Sequence, residues 1–385
     1  MKQVTFRQAL PIGVAMFSMF FGAGNVVFPL ILGANSGSQL FYAMLGFLVM
    51  GVGIPFCGLF GILLFKGDYQ AFFARLGVFP AYLTIVFLII LIGPFVGMPR
   101  IISLSFSTLH IPGLSLWQFN LIACALLFAL TLSRKHIMNI LGYVLSPLLI
   151  IALLTLIITG FSTHSAVQDS HQSPLILLSH GVENGYNTMD LLAAFFFAAI
   201  VYKILTLKAK HDNESNVQLT LKGSIIGAII LALVYIGFST IAALHSAELI
   251  HADKAQMIYY TAHVILGSKA SIVANSIFAL ACLTTAMTLG VIVSEFVQEK
   301  IFRGLVPYWG CLLGTYLITF VFANFGFINL INYCLPILKL LYPALIMLTL
   351  CNIAYKLWGF KPVKWPVAIT VAIALGFLVQ GILYA

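Results

Sequence analysis

Acidic residues are scarce in this chain: 10 Asp and Glu stand among 385 residues, against 19 Lys and Arg, and charge makes up only 8% of the composition. A soluble domain carries about 25% charged residues. So few charges cannot cover a water-facing surface, which excludes a soluble enzyme and a disordered chain. Cysteine is sparse as well. Cys57, Cys124, Cys282, Cys311, Cys334 and Cys351 lie in apolar runs without CxxC spacing and read as small apolar fillers, not as a disulfide or zinc framework. GxxxxGK[ST] and HExxH are both missing, and the nine His lie mostly in loops, so neither ATP hydrolysis nor a membrane metalloenzyme is expected. No catalytic set is recognisable, no cofactor is expected, and no stretch resembles a cleavable signal peptide. What the chain has is apolar residues: 62% hydrophobic, 13% aromatic, with a mean hydropathy of +1.09.

A helix crossing the ~30 Å hydrocarbon core needs about 20 mostly apolar residues. Eleven such runs occur, near 9–34, 40–65, 79–109, 117–133, 138–160, 187–207, 220–245, 270–299, 305–325, 328–354 and 364–385. They are continuous rather than alternating in ~10-residue segments, which excludes a β-barrel. With the N-terminus inside the cell, fifteen of the 19 Lys and Arg fall on the cytoplasmic side, from Lys2 and Arg7 through Lys66, Arg75, Arg134, Lys135, Lys203, Lys210 and Lys300 to Lys364. Only Lys254 and Lys269 then face outward, while Arg100 and Lys339 lie within runs. That asymmetry is the positive-inside pattern. The excess positive charge is therefore a topology signature. A nucleic-acid footprint would gather it on one surface with aromatic interleaving. The fold class expected is an all-α polytopic protein of the cell (inner) membrane, embedded among lipids, with about 11 transmembrane helices, N-terminus in and C-terminus out.

The longest polar interruption, 161–186, contains no Lys or Arg and reads as an extracellular loop. It divides the chain into 1–160 and 187–354, each with five runs, and leaves 355–385 as an additional helix. Two halves of five spans have opposite orientation, as in the inverted repeats of transporters, where substrate binds between the halves. Counting alone leaves coincidence open.

The first run breaks the rules of a membrane helix. Gly22, Ala23, Gly24 and Asn25 sit in its middle, and Pro29 follows one turn later. Non-helical backbone at such depth is tolerated where it lines a protein-enclosed cavity. Carbonyls freed there can coordinate a cation, and the amides of the outer half-helix can face a carboxylate. A close helix contact through small residues is the other reading.

The segment Phe20–Pro29, FFGAGNVVFP, resembles the first-span motif of the bacterial branched-chain amino acid:cation symporters. The resemblance recurs at IGPFVGMPRIISLSF in the third run, GYNTMD before the sixth, LACLTTAMTLGVIVSEF in the eighth and LPILKLLYPALI in the tenth. Five motifs in the same order make the match specific. It implies the leucine-transporter-type fold of the amino acid–polyamine–cation superfamily, with two inverted five-helix repeats. It also implies a sodium site made from first-span carbonyls at Gly22 and the hydroxyls of Thr284 and Thr285. Without it, those threonines read as hydroxyls bonded back to carbonyls one turn earlier. The chain departs from the pattern at Ala198, where relatives commonly carry glycine, at Lys339, where an apolar or small residue is expected, and in lacking a twelfth helix.

Four ionisable residues are gate or coupling candidates. Arg100 follows Gly93-Pro94 and Pro99 and is expected near the outer end of its span, where it either snorkels to the surface or pairs with Asp190. Thr188 and Asp190 are expected to cap the start of span six, also near its outer end. Glu295 is expected near the cytoplasmic interface, either solvated or as a proton relay. Lys339 is expected near mid-membrane, lining a water cavity, paired with an acid, or acting as a fixed cation in place of a coupling ion.

The expected function is secondary active import of leucine, isoleucine and valine, with methionine plausible, coupled to Na⁺ or H⁺ by alternating access. Substrate would contact Phe21, Gly22, Ala23, Gly24, Asn25 and Phe195. An exchanger or an uncoupled channel-like protein is the alternative. A channel would require rings of charges or carbonyls, normally repeated in an oligomer.

Overall fold

A computed structural model describes residues 6–109, 111, 113–132, 146–163, 166–170, 172–208, 213–267 and 270–383. Lys2, Arg134, Lys135, Lys210, Lys269 and the first part of the fifth run, 138–145, lie outside the described residues. The architecture is helical throughout, with no strand among the described residues.

The first run is two helices, α1 (Phe6–Phe20) and α2 (Ala23–Ser36), separated at Phe21-Gly22. The helix α2 continues through Pro29, so the expected break comes from the glycines and not from the proline. Apolar helical structure extends from Ala23 to Leu64 over 42 residues. At 1.5 Å per residue that is about 63 Å, twice a bilayer core. Gly37, with φ +47°, turns the chain, and α3 (Leu40–Leu48) runs on through a π-turn at Val49–Gly53 into α4 (Ile54–Leu64). After the short α5 (Tyr69–Ala74), α6 (Val78–Ile90) is offset from α7 (Gly97–Leu109) by an irregular π-turn at Leu91–Phe95. Next come α8 (Leu116–Thr131) and α9 (Ser146–Ser162).

The segment expected as an extracellular loop holds a helix, α10 (Pro174–Asn187). Pro174 occupies its first position and the Ser173 hydroxyl accepts from the Ile176 amide at 3.4 Å, a favourable start. It leads into α11 (Asp190–Lys208) with a bend of 44°, so the two form one broken helix that begins well before residue 187. Apart from a single turn at Ser246–Leu249, the remaining helices are α12 (Asn213–Leu244), α13 (Met257–Leu266), α14 (Ala270–Phe296), α15 (Tyr308–Ala323), α16 (Phe327–Trp358) and α17 (Lys364–Leu383). Pro336 and Pro343 lie inside α16 without ending it.

Among the described residues, five stretches can cross a membrane by length and composition, or six with the bent pair, and five more helices are apolar but shorter. Large apolar side chains such as Leu121, Ile122, Leu233, Leu317, Val321, Ile373 and Phe377 stand exposed on the outside of the bundle. An apolar exterior of this extent marks a surface that faces lipid, not water.

Glycines set the closest packing. A Cβ at Gly33 of α2 would lie 2.1 Å from the Ser239 carbonyl oxygen of α12, and one at Gly13 of α1 would lie 2.6 Å from Ile226 Cγ2 of α12. Similarly, Gly46 of α3 meets the Leu178 carbonyl oxygen of α10, and Gly181 of α10 meets that of Ala43, at 2.3 and 2.0 Å. Small residues let these helix pairs approach backbone to backbone. The helix α7 packs instead against α14 and α15, and α6 touches α14.

Candidate functional site

Three interruptions lie around one buried pocket. At the first, the Gly22 amide donates to the Phe20 carbonyl at 2.8 Å, and Gly22 adopts an extended conformation. The Asn25 Oδ1 accepts from the same amide at 3.3 Å, which closes the new helix start. A Cβ on Gly22 would come within 2.9 Å of Thr285 Oγ1, so glycine is what allows α14 to touch the break.

The second interruption is at Thr188-Met189. Met189 takes φ +62°, in the left-handed region that a non-glycine residue enters only at a cost of about 1–3 kcal/mol. The Thr188 hydroxyl donates to the Gly185 carbonyl at 2.8 Å and receives the Asp190 amide at 3.5 Å. Asp190 therefore sits at the start of α11 but deep inside the protein, 3% exposed. Its Oδ2 accepts from Asn25 Nδ2 at 2.7 Å and from the Tyr235 hydroxyl at 3.0 Å, and Asn25 also bonds to Tyr235. Asp190 is buried at its helix start because α10 precedes it as helix rather than loop.

The third interruption is between α6 and α7. Gly93 and Val96 leave helical geometry, and a Cβ on Gly97 would lie 1.9 Å from the Ile92 carbonyl oxygen. The chain restarts with the Arg100 amide bonded to the Val96 carbonyl at 2.9 Å. This offset turns Arg100 inward. Its side chain is 5% exposed and does not snorkel. No ion pair joins it to Asp190 within 4.0 Å.

The pocket of about 40 Å³ at this junction is lined by Gly22, Ala23, Gly24, Asn25, Arg100, Thr188, Asp190 and Thr285, with an apolar wall of Met19, Phe20, Ile92, Ile101, Ala193, Phe197 and Leu289. The starts of α2 and α11 and the ends of α1 and α10 meet in this region, and the end carbonyls are engaged locally: Phe20 accepts from the Gly22 amide, Met19 from the Thr285 hydroxyl and Gly185 from the Thr188 hydroxyl.

Of the two aromatic residues expected to touch substrate, neither lines this pocket. Phe21 packs on Phe17, Tyr235 and Phe238, and Phe195 packs on Phe72 and Phe73. Their neighbours stand there instead: Phe20 and Phe197 meet edge to face with centroids 5.0 Å apart. Successive helix positions point about 100° apart, so only one of three adjacent phenylalanines reaches a given face. The threonine pair divides in the same way. Thr285 reaches the Met19 carbonyl at 3.5 Å, whereas Thr284 bonds back to the Ala281 carbonyl at 3.0 Å.

Two of the ionisable candidates lie elsewhere. Glu295 lines a separate cavity of about 430 Å³ with Lys66, Asp68, Tyr69, Lys203, Glu299 and Lys300. Lys203 lies 4.0 Å from Glu295 and 3.6 Å from Glu299. Burial, with Glu299 and Asp68 nearby, pushes the Tyr69 phenol up to about 12. Lys339 pairs with Glu183 of α10 at 3.2 Å, its side chain about half exposed. Of the readings open for Lys339, the structure shows the acid pair. Among the described residues, no group of three His, Cys, Asp or Glu is placed to hold a metal ion.

Sequence reasoning missed Tyr235, Phe20 and the second break. The NTMD step offers no glycine or proline, and Tyr235 is an aromatic in an apolar run.

Interrupted helices whose ends converge on a small buried polar pocket, inside a lipid-facing helical bundle, define a polytopic membrane transporter. The model of the branched-chain amino acid transport protein family matches residues 5–382, and the chain belongs to that family. It is a multi-pass protein of the cell membrane. A relative in Staphylococcus saprophyticus, a branched-chain amino acid carrier protein by name, is 32% identical over 390 aligned positions, covering 94% of this chain and 86% of the relative. One of the same name in Staphylococcus aureus is 30% identical over 388 positions, covering 94% and 86%. Among solved structures, MhsT in complex with L-phenylalanine aligns with a TM-score of 0.62 at 16% identity, over 95% of this chain and 97% of that one. Mhp1, a nucleobase-cation-symport-1 family transporter in a closed conformation with bromovinylhydantoin bound, aligns with a TM-score of 0.58 at 12% identity, over 97% and 93%. At those identities the likeness establishes the shared fold.

Proposed function

We propose that this protein is a secondary active transporter that imports leucine, isoleucine and valine, with methionine accepted, driven by Na⁺ or H⁺ through alternating access. The observation that carries the reading is the pocket at the meeting point of three interrupted helices, in a chain of the branched-chain amino acid transport family. The backbone at Gly22–Asn25 contacts substrate, and the apolar wall of Phe20, Ile92, Ile101 and Phe197 receives its side chain. A wall of this kind ranks aliphatic side chains weakly, since one methylene is worth about 1–3 kcal/mol.

A cation is held by the carbonyl end of α1 at the Gly22 break with Thr285, a set of hard oxygen ligands. The hydroxyl of Thr284 is committed to its own helix and stands behind Thr285. The topology in this reading has eleven spans, N-terminus inside, in two inverted five-span units with α17 outside the repeat. The second unit begins at α10 rather than at 187. The breaks at 21–22 and 188–189 then fall in the leading helix of each unit, as inverted repeats require. The cavity around Lys203 and Glu295 opens to the cytoplasm.

The test is uptake of labelled isoleucine into proteoliposomes under imposed Na⁺ or H⁺ gradients, with unlabelled amino acids as competitors. Accumulation above equilibrium under one gradient, blocked by leucine and valine, is the expected result. Counterflow without net accumulation under either gradient would show an exchanger instead. Flux that merely follows the isoleucine gradient would show a channel-like protein.

A further inference from the structure

Arg100 is a guanidinium without an anion. Its side chain is 5% exposed, its Nη1 has no hydrogen-bond partner, and no carboxylate among the described residues lies within 4.0 Å. The Phe28 ring has its centroid 5.7 Å from Cζ. A buried cation left in this state is costly, and an acid in a forked contact would relieve it. The group faces the pocket, where a Cβ on Gly24 would come within 3.2 Å of its Nη2. On the same pocket, Asp190 holds two neutral donors, Asn25 and Tyr235, and no cation.

Two opposite charges thus line one small cavity without pairing. A zwitterion with its ammonium and carboxylate on a single carbon satisfies both. We propose that Arg100 takes the α-carboxylate of the substrate and Asp190 its α-ammonium, so that the pocket admits free α-amino acids and rejects amines and acids that carry the same side chain. The proposal rests on the reading of this pocket as the substrate site. The first amides of α2, at Ala23 and Gly24, add donors on the carboxylate side. The planar fork of arginine suits a carboxylate better than the point charge of lysine. A dipeptide separates its two charges by several bonds and does not fit both groups at once.

The experiment is equilibrium binding to the purified full chain in lipid nanodiscs, with leucine, leucinamide (no carboxylate), 3-methylbutylamine (leucine without its carboxyl group) and 4-methylpentanoate (leucine without its amine). Wild type binds leucine on the order of 100-fold more tightly than any of the other three, the value of a hydrogen bond to a charged partner. Arg100→Gln loses that factor for leucine but binds leucinamide as wild type does. Asp190→Asn loses it for leucine but binds 4-methylpentanoate as wild type does. Arg100→Lys keeps part of the preference. Leucine binding unchanged in Arg100→Gln overturns the proposal and leaves the substrate pocket standing, whereas wild type binding no apolar amino acid overturns both. Should Arg100→Gln fail to fold, wild type alone decides, since equal affinity for leucine and leucinamide overturns the assignment.

Discussion

Asn25 donates through its Nδ2 to Asp190 Oδ2 at 2.7 Å, and this one bond ties the break in the first helix to the break between α10 and α11, 165 residues later. Tyr235 of α12 closes the triangle by donating to the same oxygen at 3.0 Å. A carboxylate that accepts from both an amide and a phenol is held in one rotamer, and the two breaks keep a fixed spacing because of it.

Removing the amide breaks this triangle. Asn25→Ala leaves a buried carboxylate short of a donor, at a cost of about 1–3 kcal/mol, and frees the Gly22 amide from its cap. Thermal unfolding of the purified protein is expected to shift down by several degrees, and isoleucine uptake to fall more than tenfold. Tyr235→Phe removes one donor only and is expected to lie between Asn25→Ala and wild type in both measurements.

Gly22 and Thr285 fit one another by size. Gly22→Ala places a methyl group 2.9 Å from Thr285 Oγ1 and 3.1 Å from its Cγ2, closer than side chains tolerate. Uptake is expected to be lost in Gly22→Ala. The double variant Gly22→Ala with Thr285→Ala relieves the overlap and recovers thermal stability, though not cation dependence. A double-mutant cycle on the melting temperature measures the coupling.

The threonine neighbours separate under substitution. Thr285 reaches the carbonyl end of α1, whereas Thr284 is satisfied within its own helix. Thr285→Ala is therefore expected to raise the cation concentration needed for half-maximal uptake by tenfold or more. Thr284→Ala changes it less than threefold. Titration of the driving cation in proteoliposomes checks both.

Lys339 and Glu183 form a half-exposed pair, and such pairs contribute about 0–1 kcal/mol. Lys339→Gln and Glu183→Gln are each expected to keep substrate accumulation within a factor of three of wild type under the same gradient. Loss of accumulation in Lys339→Gln alone would show that the lysine carries coupling charge and not merely a surface contact.

Arg75 fastens the end of α16. Its guanidinium donates to the Cys351 and Lys361 carbonyls at 3.1 and 2.7 Å and to Asn352 Oδ1 at 2.8 Å, and lies 4.0 Å over the Tyr355 ring. Lysine cannot reproduce that fork. Arg75→Lys and Arg75→Ala are both expected to lower the melting temperature, by similar amounts, with little change in the affinity for isoleucine.

Legibility in the sequence followed the residue types. The first break was readable because Gly22, Gly24 and Asn25 are costly in a membrane helix for reasons that hold in any context. The second break was not, because Met189 takes its left-handed conformation from tertiary packing and leaves no mark in composition. The helix before it was lost to a hydropathy count because Ser179, His180, Glu183 and Asn184 make its sequence polar, although it packs on α3 through glycine. Arg100 was readable as an anomaly but not as to depth, since its position depends on the offset at Gly93–Val96. Phe21 and Phe195 were each one or two positions from the aromatic that faces the pocket, a register that only the packing of the neighbouring helices decides.

The glycine contacts of α2 with α12, and of α3 with α10, leave no side-chain cushion between backbones. Surfaces in such contact cannot slide past one another by even a fraction of a residue without collision, so each pair is held in a single register. Arg100 and Thr285 reach the pocket from α7 and α14, Thr285 against Gly22 and the Arg100 guanidinium against Gly24. The pocket therefore has Asp190 on one bank and Arg100 on the other. A small displacement between the banks alters the distance between the two charges directly.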